Sequence, residues 1–202
     1  DFLHRYAMTT LATQADPRFI PSLLDAPHRD GTEATRPNYT VKTLTRLRAS
    51  LVAEAQPTEL FTLLGADSWL EIGQWFHASR LLALTNWIVA ARPGFAFVGA
   101  EAALPSEIKV ERCSIDTAAA DDSTDALSAC DLLLHHPHSN PTRVWFLPHL
   151  REDISATELR ATLDQGHADP DLLPAAVCEY IRKTDIYRLS SANRAAAQAW
   201  RH

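Results

Sequence analysis

Apolar positions along the chain follow two rhythms, and the changes between them mark most of the elements. Leu3, Ala7, Met8 and Leu11 recur at helical spacing, which predicts a helix at the start, broken by Asp16-Pro17. Arg18 to Leu24 alternates weakly and reads as a strand. Residues 25–37, polar with Gly31 and two prolines, read as a loop. Asn38-Tyr39-Thr40 then precedes a helical pattern with apolar residues at 41, 44, 47 and 51. Leu60 to Leu64 is a continuous apolar run closed by Gly65, the pattern of a central strand buried on both faces of a parallel sheet. Ser68 with Glu71 forms a capping box, which predicts a helix that Gly73 ends. A second helical stretch covers about 77–84. Trp87 to Ala91 reads as the next strand, closed by the turn signal Arg92-Pro93-Gly94.

Residues 96–143 are irregular in pattern and read as an inserted region with one helix near 124–133. Order returns with the apolar run 144–147. Ser155 and Glu158 then form a capping box that opens a helix from 156 to about 164, ended by Gly166. A last helix spans about 171–183. Strand–helix alternation of this kind predicts an α/β fold with a Rossmann-like parallel sheet flanked by helices. The expected organisation is one domain over 1–189, with 96–143 as its variable insertion and 190–202 as a tail.

Composition narrows the class. The 202 residues are 46% hydrophobic and 22% charged, enough for a sizeable core. A net charge of −6 argues against a general nucleic-acid binder, which needs a basic face, but leaves room for a local anion pocket. No apolar run approaches the ~20 residues of a membrane span, and no basic-then-apolar leader opens the sequence. Cys113, Cys130 and Cys178 are widely spaced, an odd set that reads as free thiols in a reducing compartment, hence the cytoplasm.

Ligands of such sheets sit beyond the carboxyl ends of the strands, and three marked segments fall there. Gly65-Ala66-Asp67-Ser68 is a strand-to-helix turn. Gly65 permits close approach to the backbone, and Asp67 either accepts from ribose hydroxyls or stabilises the helix start. Arg92, held by Pro93, is either an anion-binding guanidinium or a surface arginine. Ser155, Thr157 and Arg160 lie at a helix N-terminus suited to phosphate, or belong to an ordinary capped helix. Tyr39-Thr40 offers backbone N–H groups to a carboxylate or simply caps its helix. Of the adjacent aromatics Trp75 and Phe76, one can form a stacking wall for a flat heterocycle, the alternative being core packing; Trp69 and Trp87 read as core. His135-His136-Pro137-His138 lacks metal-ligand spacing and reads as a solvated loop. No G-x-S-x-G, H-E-x-x-H or G-x-x-x-x-G-K-[ST] occurs.

In order, Asn38-Tyr39-Thr40, Leu64-Gly65-Ala66-Asp67-Ser68, Trp75, Arg92-Pro93-Gly94, Ile154-Ser155-Ala156-Thr157-Glu158-Leu159-Arg160 and the closing Leu173-Pro174-Ala175-Ala176-Val177 with Tyr180-Ile181 resemble the bacterial nicotinate-nucleotide adenylyltransferases, of the HxGH nucleotidyltransferase superfamily. The resemblance covers the chain apart from about 96–143. It implies transfer of AMP from ATP to nicotinate mononucleotide, giving deamido-NAD and pyrophosphate in NAD biosynthesis, with Mg²⁺ on the triphosphate. It implies that Tyr39, Thr40, Asp67, Trp75 and Arg92 bind substrate, Tyr39-Thr40 taking the carboxylate and Trp75 the pyridine ring. Gly65, Asp67, Ser155, Thr157 and Arg160 would bind ATP. Related activities on nicotinamide mononucleotide or pantetheine phosphate, a cytidylyl transfer, and a non-catalytic nucleotide-binding module are the competing readings. The family's GGxFDPxHxGH segment, whose histidines stabilise charge on the reacting phosphates, does not occur in these residues. The expectation is therefore an amino-terminally truncated sequence with no catalytic residues of its own and negligible turnover.

Overall fold

A computed structural model describes residues 2–27, 37–53, 58–91, 99–113, 130–147, 159–160, 162–163 and 172–187. The chain divides into two compact units, residues 27–153 and residues 1–26 with 154–202.

The larger unit is an α/β sandwich layer. Helix α2 (Thr40–Ala53) leads into strand β1 (Phe61–Gly65), which passes directly into α3 (Ala66–Leu70), a single 3-10 turn (Ile72–Gln74) and α4 (Ala78–Leu82) before β2 (Asn86–Ala90). β3 (Lys109–Arg112), β4 (Leu132–His135) and β5 (Thr142–Leu147) complete a sheet of order β1-β2-β5-β4-β3. β1, β2 and β5 are parallel, in register at Leu63–Ile88–Trp145; β4 and β3 extend the sheet antiparallel. The Rossmann-like parallel sheet is thus present with a mixed margin.

Period-2 alternation puts Leu64, Trp87, Val89 and Val144 on the face covered by the helices. There they pack with Val41 and Leu44 of α2, Trp69 of α3, Ile72, and Leu81 and Leu82 of α4. Trp69 and Trp87 are fully buried, edge to face at 6.0 Å, and each indole N–H finds a carbonyl: Ala100 at 3.0 Å and Leu82 at 3.2 Å. That satisfies the one polar atom of each ring, as burial demands.

Several expectations change. β1 is the outer strand of the described sheet rather than a central one, and Leu63 on its open face is 67% exposed. Ser68 caps nothing: α3 begins at Ala66 with Gly65 as its first boundary residue, so Ser68 lies inside the helix and its carbonyl accepts the Glu71 N–H. The irregular region 96–143 supplies two strands, and the helix expected near 124–133 gives way to non-helical Cys130 and Asp131 and to strand at Leu132 and Leu133; residues 124–129 fall outside the described residues. Antiparallel pairing of β3 with β4 joins Cys113 to Cys130 in a disulfide (Cα–Cα 5.9 Å), where free thiols were expected; Cys178 is free.

In the smaller unit, α1 (Phe2–Thr13) packs on α5 (Ala175–Thr184). His4 Nδ1 meets the Tyr180 hydroxyl at 2.8 Å. Residues 18–24 contain no strand: Arg18 lies in a turn and folds back onto Asp16, the Phe19 N–H donates to the Asp16 carbonyl, and residues 19–23 are irregular. Leu159, Arg160, Thr162 and Leu163 are helical, as the pattern predicts.

Candidate functional site

Helix α2 distinguishes the two ends of the sheet. Its last residues, Leu51 and Val52, line one cavity with Leu60, Asn86 and Thr142, where β1, β2 and β5 begin. The N-terminus of this fourteen-residue helix lies about 20 Å away along its axis. A cavity of about 290 Å³ opens there, lined by Asn38, Tyr39, Thr40, Val41, Trp75, Phe76 and Leu81. Three residues singled out in the sequence, Tyr39, Thr40 and Trp75, therefore share one wall-to-wall space.

Its polar end comes from the helix. The Tyr39 carbonyl accepts the Lys42 N–H at 2.8 Å and the Thr43 N–H at 3.3 Å. Tyr39 is thus the boundary residue, and the N–H groups of Thr40 and Val41 precede the helical ladder with the positive end of the helix behind them. Its flat end comes from aromatics. Phe76 stacks on Tyr39, with centroids 4.1 Å apart and planes 23° apart, while half-buried Trp75 packs against the core. The two neighbours diverge because the backbone is extended at Trp75 (φ −70°, ψ 149°); the next residue but one, His77, sits in the left-handed region at φ 53°, and its carbonyl accepts the Leu81 N–H. A non-glycine residue there costs on the order of 1–2 kcal/mol. The volume suits one substituted six-membered ring rather than a dinucleotide.

Gly65 and Asp67 lie at the carboxyl end of β1 and do not line this cavity. Gly65 has an ordinary extended backbone (φ −73°, ψ 154°), so rotation is not why it is glycine. A Cβ built there would lie 2.5 Å from Asp67 Oδ1: the exposed carboxylate folds back over the space a methyl group would fill. Arg92, Ser155 and Thr157 fall outside the described residues. Arg160 is helical and exposed, in the smaller unit. Phe76 and Asn38 are the site residues that residue-by-residue reading underweighted; the signal available for Phe76 was its adjacency to Trp75.

A larger cavity, about 890 Å³, opens at the amino ends of β1, β2 and β5. Sheets of this kind place ligands at the opposite end, so size does not make it the site. His136 borders it and is part-buried rather than solvated. The Thr142 hydroxyl donates to the Leu82 carbonyl, so its oxygen accepts from His136 Nε2–H at 2.8 Å. Burial, and then the charge of His135, hold the His136 pKa below the usual histidine range. His135 ends β4 and bonds Glu111 across to β3. Among the described residues no group of three His, Cys, Asp or Glu side chains is arranged to hold a metal, and no helix is long and apolar enough to cross a membrane.

The fold has clear relatives. A Plasmodium falciparum nicotinic acid mononucleotide adenylyltransferase complexed with APC matches with a TM-score of 0.55 at 14% identity, over 93% of this chain and 76% of that one. Its complex with NaAD matches at 0.54 and 15% identity, over 93% and 74%. At such identities the likeness defines the class: an α/β protein of the nucleotidyltransferase fold. No protein-family model matches the chain. Bacterial proteins named "Probable nicotinate-nucleotide adenylyltransferase" do: that of Geotalea daltonii is 32% identical over 183 residues, covering 91% of this chain and 73% of the relative. That of Chromobacterium violaceum is 36% identical over 184 residues, covering 91% and 74%. The chain belongs to the nicotinate-nucleotide adenylyltransferase family.

Proposed function

We propose that the cavity at the α2 N-terminus binds the pyridine carboxylate of nicotinate mononucleotide for transfer of AMP from ATP, which yields deamido-NAD and pyrophosphate. One observation carries the reading: Tyr39, Thr40 and Trp75 line a single ring-sized cavity with helix N–H groups at one end. A carboxylate meets the N–H groups of Thr40 and Val41, where an amide, uncharged, gains less from the helix end. Trp75, Phe76 and Tyr39 supply the aromatic surface for the ring. Asp67, held over Gly65, accepts from sugar hydroxyls at the carboxyl end of β1. In the same reading Arg92 serves the substrate phosphate side, and Ser155, Thr157 and Arg160 serve ATP. Mg²⁺ would accompany the triphosphate and neutralise its charge, and none of the residues named here is assigned to hold it. In this reading the protein acts in the cytoplasm.

In the reaction the phosphate oxygen of nicotinate mononucleotide attacks the α-phosphorus of ATP and pyrophosphate departs with the electron pair of the broken P–O bond. The described residues contribute alignment: they fix the ring and the sugar so that the attacking oxygen is in line. Calorimetric titration of the chain with nicotinate and with nicotinamide mononucleotide tests the reading. The acid is expected to bind tighter, and Trp75→Ala to weaken it about tenfold or more. Equal affinity for acid and amide, or an unaffected Trp75→Ala variant, overturns it.

A further inference from the structure

β3 is a thinly held margin of the sheet. Of its four residues only Val110 is even partly buried, and its side-chain ties, Arg112 to Glu101 and Glu111 to His135, are exposed pairs that contribute little. Immediately past its last ladder pair, Arg112 with Leu132, the Cys113 N–H donates to the Asp131 carbonyl at 3.0 Å and the Cys113–Cys130 disulfide closes the two chains together. Because β4 runs antiparallel to β5, this end of the hairpin lies at the carboxyl ends of β1, β2 and β5. That is the end where Gly65 and Asp67 sit.

Asp131 connects the disulfide to the interior. Its N–H donates to the Val144 carbonyl at 2.9 Å, and its carboxylate accepts the Phe146 N–H at 2.6 Å. The Phe146 ring meets Trp69 edge to face at 6.3 Å. Trp69 is in α3, two residues beyond Asp67. Cys130, Asp131, Phe146 and Trp69 thus form an unbroken run of contacts from the sulfur pair to the helix that carries Asp67. Cys130 is buried and Cys113 half-buried, so a small thiol reaches Cys113 first.

We propose that Cys113 and Cys130 form a thiol–disulfide switch, operated by a small-molecule thiol and its disulfide, that sets how firmly β5 and α3 are held at the nucleotide end of the sheet. In reduction a small thiolate attacks Cys113 Sγ; the S–S bond breaks and the electron pair leaves on Cys130 Sγ, which takes up a proton. A second thiolate attacks the small-molecule sulfur of the mixed disulfide, frees Cys113 as a thiol, and departs as the small-molecule disulfide. Oxidation is the reverse, with that disulfide as the two-electron oxidant. The 17-residue separation means that opening the bond also returns loop freedom to the unfolded chain.

The test equilibrates the full chain in glutathione buffers of graded ratio, counts thiols by alkylation and mass spectrometry, and follows hydrogen exchange. One intramolecular disulfide is expected to form, with Cys178→Ser as a control that leaves it intact. Reduction is expected to speed exchange at residues 109–113 and 130–135 at least tenfold, to change exchange at 66–70, and to lower Tm by about 5–10 °C. Cys113→Ser and Cys130→Ser should each reproduce the reduced form and abolish the redox response. Independent thiols across the buffer range overturn the switch. So does exchange that changes only in β3 and β4 and leaves 66–70 untouched, which reduces the pair to a local staple. Exchange is read without ligand, so a failure of nicotinate mononucleotide to bind counts against the proposed function and not against the switch.

Discussion

The two halves of the sheet are held by different forces. The parallel half, β1, β2 and β5, rests on side chains removed from water: Trp69, Trp87, Leu81, Leu82, Val89 and Val144 are all essentially inaccessible. The antiparallel margin buries Leu132 and Leu134 from β4 but leaves β3 to exposed ion pairs, four ladder pairs and one disulfide. Area buried from water is the larger and less condition-dependent contribution; ion pairs at the surface weaken with salt and a disulfide depends on redox state. One half of the sheet is therefore built to be constant and the other to respond.

The sharpest way to break that contrast is Trp69→Ala. It removes a fully buried ring and a satisfied indole N–H, and is expected to cost about 3–5 kcal/mol in urea denaturation. A loss under 1 kcal/mol would mean the parallel half is not the stable one. Gly73→Ala should cost about 1–3 kcal/mol, because the added Cβ would lie 2.4 Å from the Ala103 carbonyl oxygen, which belongs to backbone and cannot swing away. His136, on the turn between β4 and β5, gives a smaller and pH-dependent effect. Its folded pKa is depressed by burial, so as pH falls below about 6.5 the unfolded chain takes the proton first. Stability present above that pH is lost on the way down to the folded pKa, and His136→Gln should flatten this part of the profile; parallel curves for the two proteins would remove His136 as the cause. Arg112→Ala, at the margin, is expected to leave denaturation midpoints unchanged within scatter, since its partner Glu101 is an exposed contact. A clear loss there would show that β3 depends on its ion pairs after all.

The same contrast explains what could be read from the sequence. α2, β1, β2 and β5 were legible because packing against the core imposes periodicity, and their apolar residues recur at helical spacing or run continuously; α1, with no buried residue, still shows helical spacing. β3 reads Lys109-Val110-Glu111-Arg112, one apolar residue among three charged ones, and a four-residue exposed strand leaves no rhythm to find. Its pairing with β4 is a tertiary fact, and so is the meeting of Cys113 with Cys130. Ser68 and Glu71 have the right spacing for a helix start, but β1 turns into α3 with no linker, so the spacing fell one turn too late. At the candidate site, Tyr39, Thr40 and Trp75 were singled out by residue type and position, and the resemblance to a family added the roles proposed for them. That Phe76 would turn toward Tyr39 was not legible, because the stack is a tertiary contact between residues far apart in the sequence, and the left-handed His77 beside it is a residue type that gives no notice of a positive φ.

Asp67 owes its position to an atom that is not there. In genetic terms residues 65 and 67 are linked: every replacement of Gly65 introduces a carbon that the exposed Asp67 carboxylate must swing aside to admit. Under the role proposed for Asp67, a saturation mutagenesis scan should therefore show substitutions at 65 weakening the contact that substitutions at 67 remove, and less severely. Reversion screens starting from a Gly65 mutant should recover glycine far more often than any second-site change.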